Sequence, residues 1–139
     1  MAANSRFAVA VHALALIARR PDERHCSREI AASVATNPVV IRRLLAQLQR
    51  AGLVRSSRGA EGGFLLGRPA ARITLYDVYR AVEEGGFFAR PEKGNDACPV
   101  ARRMKGLLDG VFARVESKVA PELRRTSLAD VVRRLPARR

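Results

Sequence analysis

The sequence predicts a mainly α-helical domain with one small β-hairpin and a long helix near its C-terminal end. Three observations predict it. Apolar residues recur at helical spacing through most of the chain, and three glycines crowd into residues 59–63 between two short apolar runs. Residues 99–119 then sustain one apolar stripe, longer than a small core requires. With 139 residues, 47% apolar and 28% charged, the chain is sized for one domain with a modest core and has an ordinary globular balance.

Taken in order, Phe7, Val11, Leu14 and Ala18 lie on one helical face between Ser5 and Arg19, and Pro21-Asp22 ends the run. A second helix is expected after Ser27, capped by that hydroxyl, with Ile30, Ala31 and Val34 inward. Thr36-Asn37-Pro38 makes a turn. Asn37 is a good N-cap, and Pro38 falls at the first helical position, where its missing N–H costs nothing. The third helix should bury Ile41, Leu44, Leu45 and Leu48 and stop at Gly52. Leu53–Ser56 and Phe64–Gly67 read as strands around a tip to which Gly59, Gly62 and Gly63 would bring positive φ. Thr74 caps a fourth helix whose apolar face is Leu75, Val78, Tyr79 and Val82. Residues 85–96, rich in glycine and charge, form a loop. A long helix starts near Pro99, and Pro121 either interrupts it or opens a following segment. Leu128, Val131, Val132 and Leu135 suggest a short last helix.

Charge narrows the partner. The chain carries 26 basic and 13 acidic residues, net +13, which favours a polyanion. Residues 1–80 hold 13 cations against 5 acids, and residues 81–139 hold 13 against 8, so the bias leans N-terminal. Only Lys93, Lys105 and Lys118 are lysines. Arginine's planar fork suits phosphate and guanine, although a GC-rich coding sequence produces the same preference. The apolar stretch 9–18 is too short to span a bilayer and lacks the flanks of a signal peptide. Two cysteines cannot staple a secreted fold, and a cytoplasmic protein is expected.

A capped amphipathic helix running straight into a glycine-tipped, arginine-bearing hairpin is what a winged helix-turn-helix uses to read DNA. The N-terminal end of such a helix enters the major groove. Asn37, Val39, Val40, Arg42 and Arg43 are therefore the candidates for bases and flanking phosphates, with Gln47 one turn on as a backbone contact. In the hairpin, Ser57, Arg58, Gly59 and Gly62 are the candidates, since the glycines let the backbone approach DNA closely. Glu61 would repel phosphate and is expected to tilt outward.

The chain resembles the Rrf-two family of bacterial winged-helix transcriptional regulators, which includes the iron–sulfur cluster regulator and the nitric-oxide-sensing repressor. The resemblance is carried by Leu44-Leu45, Leu48, Ala51-Gly52-Leu53-Val54, Ser57-Arg58-Gly59, Gly62-Gly63-Phe64, Ile73-Thr74-Leu75 and Asp77-Val78. It implies a reading head over residues 1–84, a loop over 85–98, and a dimerisation helix with a C-terminal helix over 99–139. Met104, Leu108, Val111 and Val115 would then serve a homodimer interface, and the dimer would act on a palindromic operator, more often as a repressor.

Family members that bind a cluster present three cysteines in that loop, and here only Cys98 stands, at the position of the last. One thiolate cannot hold a cluster, and Glu83, Glu84, Glu92 and Asp96 are too hard to replace the others, so no cluster, metal or other cofactor is expected. Many cluster-binding members also carry an aromatic residue where Val40 stands and glutamine where Arg43 stands, so this chain looks like the cysteine-poor branch. Cys98 and Cys26, each at a helix start, are candidate redox thiols; a small buried hydrophobe is the ordinary alternative for either. His12 is expected to be packed, and His25 to be a solvated turn residue. Tyr76, Tyr79, Phe87 and Phe88 are candidates to line a pocket for a small effector, or simply to pack. No nucleotide, zinc-hydrolase or nucleophile-elbow motif points to an enzyme. A basic protein that coats nucleic acid without sequence preference is the alternative that net +13 leaves open.

Overall fold

The computed structural model describes residues 3–59, 62–88 and 93–137. Glu61 and Glu92 lie outside the described residues. The elements run α1 (Ala3–Arg19), α2 (Ser27–Val34), α3 (Pro38–Arg50), β1 (Val54–Ser57), β2 (Gly63–Leu66), α4 (Leu75–Val82), α5 (Pro99–Arg124) and α6 (Leu128–Arg133), with one 3-10 turn at Ala70–Arg72.

Helix α1 is the centre of the core. Its Ala10, Ala13, Leu14 and Ile17 are buried with Ile30 of α2, Ile41, Leu44, Leu45 and Leu48 of α3, Val78 and Val82 of α4, Leu128 of α6, and Leu53 and Ile73 from the connecting segments. The mostly small residues of α1 let neighbouring helices approach it closely, and the branched residues fill the space between them. The expected inward stripe of α3 is thus the observed one. α6 is fixed by the chain between it and α5: Leu75 N–H donates to the Thr126 carbonyl at 2.9 Å and Leu128 N–H to that of Ile73 at 2.7 Å.

Two helix boundaries differ from expectation. The N-cap of α2 is Cys26, whose Sγ accepts from the Glu29 N–H at 3.4 Å, and Ser27 is the first helical residue. α5 continues through Pro121 to Arg124 as one helix of 26 residues. Proline removes one helical hydrogen bond there, near the exposed C-terminal end, where the loss is tolerated.

The hairpin is antiparallel, with Val54 opposite Leu66 and Ser57 opposite Gly63. Each strand is displaced by one residue from expectation. Of its glycines, Gly59 has φ +106, while Gly62 and Gly63 are not at positive φ. Those two are required for closeness: a Cβ would meet the Ser57 carbonyl oxygen at 2.5 Å from Gly62, and that of His25 at 2.9 Å from Gly63. The second contact reflects an unforeseen pairing. His25 and Phe64 exchange backbone hydrogen bonds of 3.1 and 2.8 Å, which lay the start of α2 along the outer side of β2. His25 is consequently buried rather than solvated. Its Nε2 is 3.3 Å from the Arg20 carbonyl oxygen and its Nδ1 3.5 Å from Glu29 Oε1. His12 is exposed and meets Ser33 Oγ of α2 at 3.0 Å, so it links two helices rather than packing inside.

Candidate nucleic-acid interface

The turn between α2 and α3 is built from backbone hydrogen bonds and one side-chain cap. Ala35 ends α2 in the left-handed region, and Thr36 N–H donates to the Ala31 carbonyl at 3.0 Å. Asn37 then caps α3, its Oδ1 accepting from the Val39 N–H at 2.8 Å. With the opposite stripe buried, α3 must present its first turns outward. Asn37, Val39, Arg42 and Arg43 are exposed and Val40 is half-buried against the core.

Two grooves flank these turns. One, of about 550 Å³, brings the N-terminal ends of α2 and α3 together and is lined by Cys26, Arg28, Asn37, Val39 and Arg42 among others. The other, of about 460 Å³, carries Val40, Arg43, Gln47 and Arg50 of α3 with Arg6 and Glu84. Arg28, Arg50 and Arg6 thus join a surface to which the sequence pattern had not assigned them. Arg28 and Arg50 are exposed and Arg6 is half-buried, and their signal was available only as charge on α2, α3 and α1. Gln47 is half-buried, and its Nε2 donates to Glu84 Oε1 at 2.9 Å, so that in the free protein it faces a carboxylate of its own chain.

Arg58 and Gly59 are exposed at the hairpin tip, whereas Ser57 is half-buried and its hydroxyl has no hydrogen-bond partner among the described residues. The hairpin follows α3 directly: Gly52, at φ +77, lets Leu53 N–H reach back to the Leu48 carbonyl at 2.9 Å, and Leu53 and Val54 enter the core. The position of the wing relative to α3 is therefore set by core packing.

The candidate thiols differ. Cys26 is exposed in the first groove, and Cys98 is half-buried at the N-cap of α5, where its side chain makes no capping hydrogen bond. The four aromatic residues proposed for a pocket belong to a chain of ring contacts that runs from Phe7 through Tyr79, Phe87 and Phe88 to Phe112, with Tyr76 beside Tyr79. Beside them lies a cavity of about 50 Å³, lined by Tyr76, Tyr79 and Phe87 with Glu83 and Glu116. That is room for a water or two, far below an ordinary ligand pocket. Burial, followed by the charges of Glu83 and Glu116, raises the Tyr79 phenol above its ordinary range. These rings are chiefly packing between α1, α4 and α5.

α5 has no buried residue among its 26, and Val100, Met104, Leu107 and Leu108 are exposed along its first half. Val111 and Val115 are half-buried. Val100 and Leu107, about two-thirds exposed, are the most prominent apolar residues of this face and lie outside the interface set that the resemblance implies.

The chain matches the family model Rrf2, described as an iron-dependent transcriptional regulator, over residues 3–134. YwnA of Bacillus subtilis (strain 168), which carries the name of an HTH-type transcriptional regulator, is 43% identical over 133 residues, 95% of this chain and 98% of that protein. The HTH-type transcriptional regulator IscR of Cereibacter sphaeroides is 28% identical over 134 residues, 96% and 86% of the two chains. A crystal structure described as that of a DNA-binding protein aligns with TM-score 0.69 and 40% identity, covering 91% of this chain and 97% of its own. CymR, the global cysteine regulator of B. subtilis, aligns with TM-score 0.70 over 98% and 99% of the chains at 23% identity, a likeness of fold. The family match over residues 3–134 and the 43% identity with YwnA settle the relationship: this chain belongs to the Rrf2 family of transcriptional regulators and has its winged helix-turn-helix fold.

Proposed function

We propose that this protein is a homodimeric, sequence-specific DNA-binding transcriptional regulator that acts as a repressor on a palindromic operator. The observation that carries the reading is the outward first half of α3. Asn37, Val39, Arg42 and Arg43 stand exposed above a fully buried stripe, between two arginine-bearing grooves. Arg43 is suited to fork onto a guanine, Val39 to pack on a thymine methyl, and Arg58 of the wing to approach the minor groove. The first half of α5, apolar and exposed, supports pairing with a second copy.

We further propose that it works without an iron–sulfur cluster. The family's description raises iron, yet this chain's two cysteines, Cys26 and Cys98, cap different helices and supply too few thiolates for cluster iron. Anaerobically purified protein should show no iron–sulfur absorption in the visible range; a cluster spectrum would overturn this.

The deciding experiment is fluorescence anisotropy at physiological salt, with DNA from the gene's own upstream region against a scrambled duplex. Preference for the palindromic fragment is expected. Equal affinity would instead favour nonspecific coating, which net +13 also permits. Repeating the titration with peroxide-treated protein tests whether a thiol is the signal. A reversible loss of affinity would point first to Cys26, the exposed thiol beside the reading helix.

A further inference from the structure

We propose that the groove between the start of α1 and the flank of α3 receives a DNA backbone phosphate, and that the Glu84 carboxylate occupies that phosphate's place in the free protein. The inference rests on the DNA-binding reading above. It adds a contact, Arg6, and an internal competitor, Glu84.

Glu84 is an acid in a groove with Arg6, Arg43 and Arg50. Its Oε2 accepts from Arg6 Nη1 at 2.7 Å, and its Oε1 from Gln47 Nε2 at 2.9 Å. One anion thus takes donors from two helices on its two oxygens, much as a phosphodiester is held by arginine and amide side chains. Arg6 is preset for that task. Its Nη2 donates to the Val82 carbonyl at 3.1 Å, which fixes the plane of the guanidinium. Its Nε is buried without a hydrogen-bond partner among the described residues, a donor that the carboxylate leaves unused. The Glu84 side chain itself is 58% exposed, so the pair is weakly held and open to exchange.

Displacement of the carboxylate by a phosphate frees Arg6 and Gln47 together, since both hold the same side chain.

The test is the salt dependence of DNA binding by the full-length Glu84→Gln protein, with Glu84→Ala as the second variant. Each phosphate neutralised steepens the slope of log K against log salt by about 0.9. Because the phosphate that displaces Glu84 pairs with Arg6 in the complex, Arg6→Gln is expected to flatten the slope by about one. Glu84→Gln and Glu84→Ala, which leave no carboxylate to displace, are expected to gain several-fold in affinity at low salt on operator and scrambled duplex alike. Adding Arg6→Gln should cancel that gain. Unchanged affinity in both Glu84 variants, a slope that Arg6→Gln leaves unchanged, or a gain that survives loss of Arg6 would overturn the proposal. If the unsubstituted protein binds no DNA, the DNA-binding reading fails instead.

Discussion

Ala35 adopts φ 60 and ψ 48, a left-handed conformation in which an L side chain crowds its own carbonyl. Holding a non-glycine residue there costs about 1–2 kcal/mol, whereas glycine loses about 0.5–1 kcal/mol more chain entropy on folding. Ala35→Gly should therefore stabilise the protein by about 0.5–1 kcal/mol in chemical denaturation, without changing the slope of unfolding. At the reading surface, Arg43→Ala is expected to relax sequence preference, costing about 1–3 kcal/mol of discrimination in competition binding. Arg58→Ala should weaken operator binding instead; unchanged curves for both would place the reading surface elsewhere. Residue roles were unevenly legible. The Asn37 cap and the exposure of Arg42 and Arg43 could be foreseen, because a cap and a core stripe orient a helix completely. His25 could not, because its burial depends on a strand pairing 39 positions along the chain. Gln47 was expected one turn on as a backbone contact, and its carboxylate partner in the free protein was not foreseen, because it is contributed from beyond the far end of α4.

Caps explain why the helices begin where they do. Thr74 and Ser127 each form a reciprocal capping box, with Asp77 and Asp130 three residues on. Thr74→Ala should cost about 1 kcal/mol, read as a lower denaturation midpoint. The Asp130 carboxyl is held below its ordinary range by the Ser127 backbone N–H, and then by the Ser127 hydroxyl. Because its folded value is depressed, its stabilising contribution is present above the ordinary carboxylate range. It is lost as pH falls through the lower folded value. Acid titration of stability should show this component, and Asp130→Asn should remove it. At this scale the sequence was most readable, since caps, glycine stops and 3.6-residue periodicity are local. The start of α2 was the exception: serine is the better cap by type, but the pairing of His25 with Phe64 sets the chain direction and leaves the cap to Cys26.

For the molecule as a whole, the proposed pairing of two copies rests on the exposed apolar first half of α5. Leu107→Glu or Met104→Glu should yield a monomer by sedimentation velocity and lose tight operator binding while α1–α4 stay folded. An unchanged dimer would move the interface off this face. The length and apolarity of α5 were plain from sequence. Which rows face inward was not, because Phe112 stacks on Phe88, at the end of an aromatic chain assembled from α1, α4 and residues 87–88. The union of β2 with the start of α2 has a kinetic meaning as well. Each of the His25 and Phe64 amides is closed by the other's carbonyl, so neither can exchange its hydrogen for deuterium unless the two segments part. The wing and the threshold of the helix-turn-helix are thus expected to breathe as a single unit, their two amides sharing one protection factor that rises when DNA is bound.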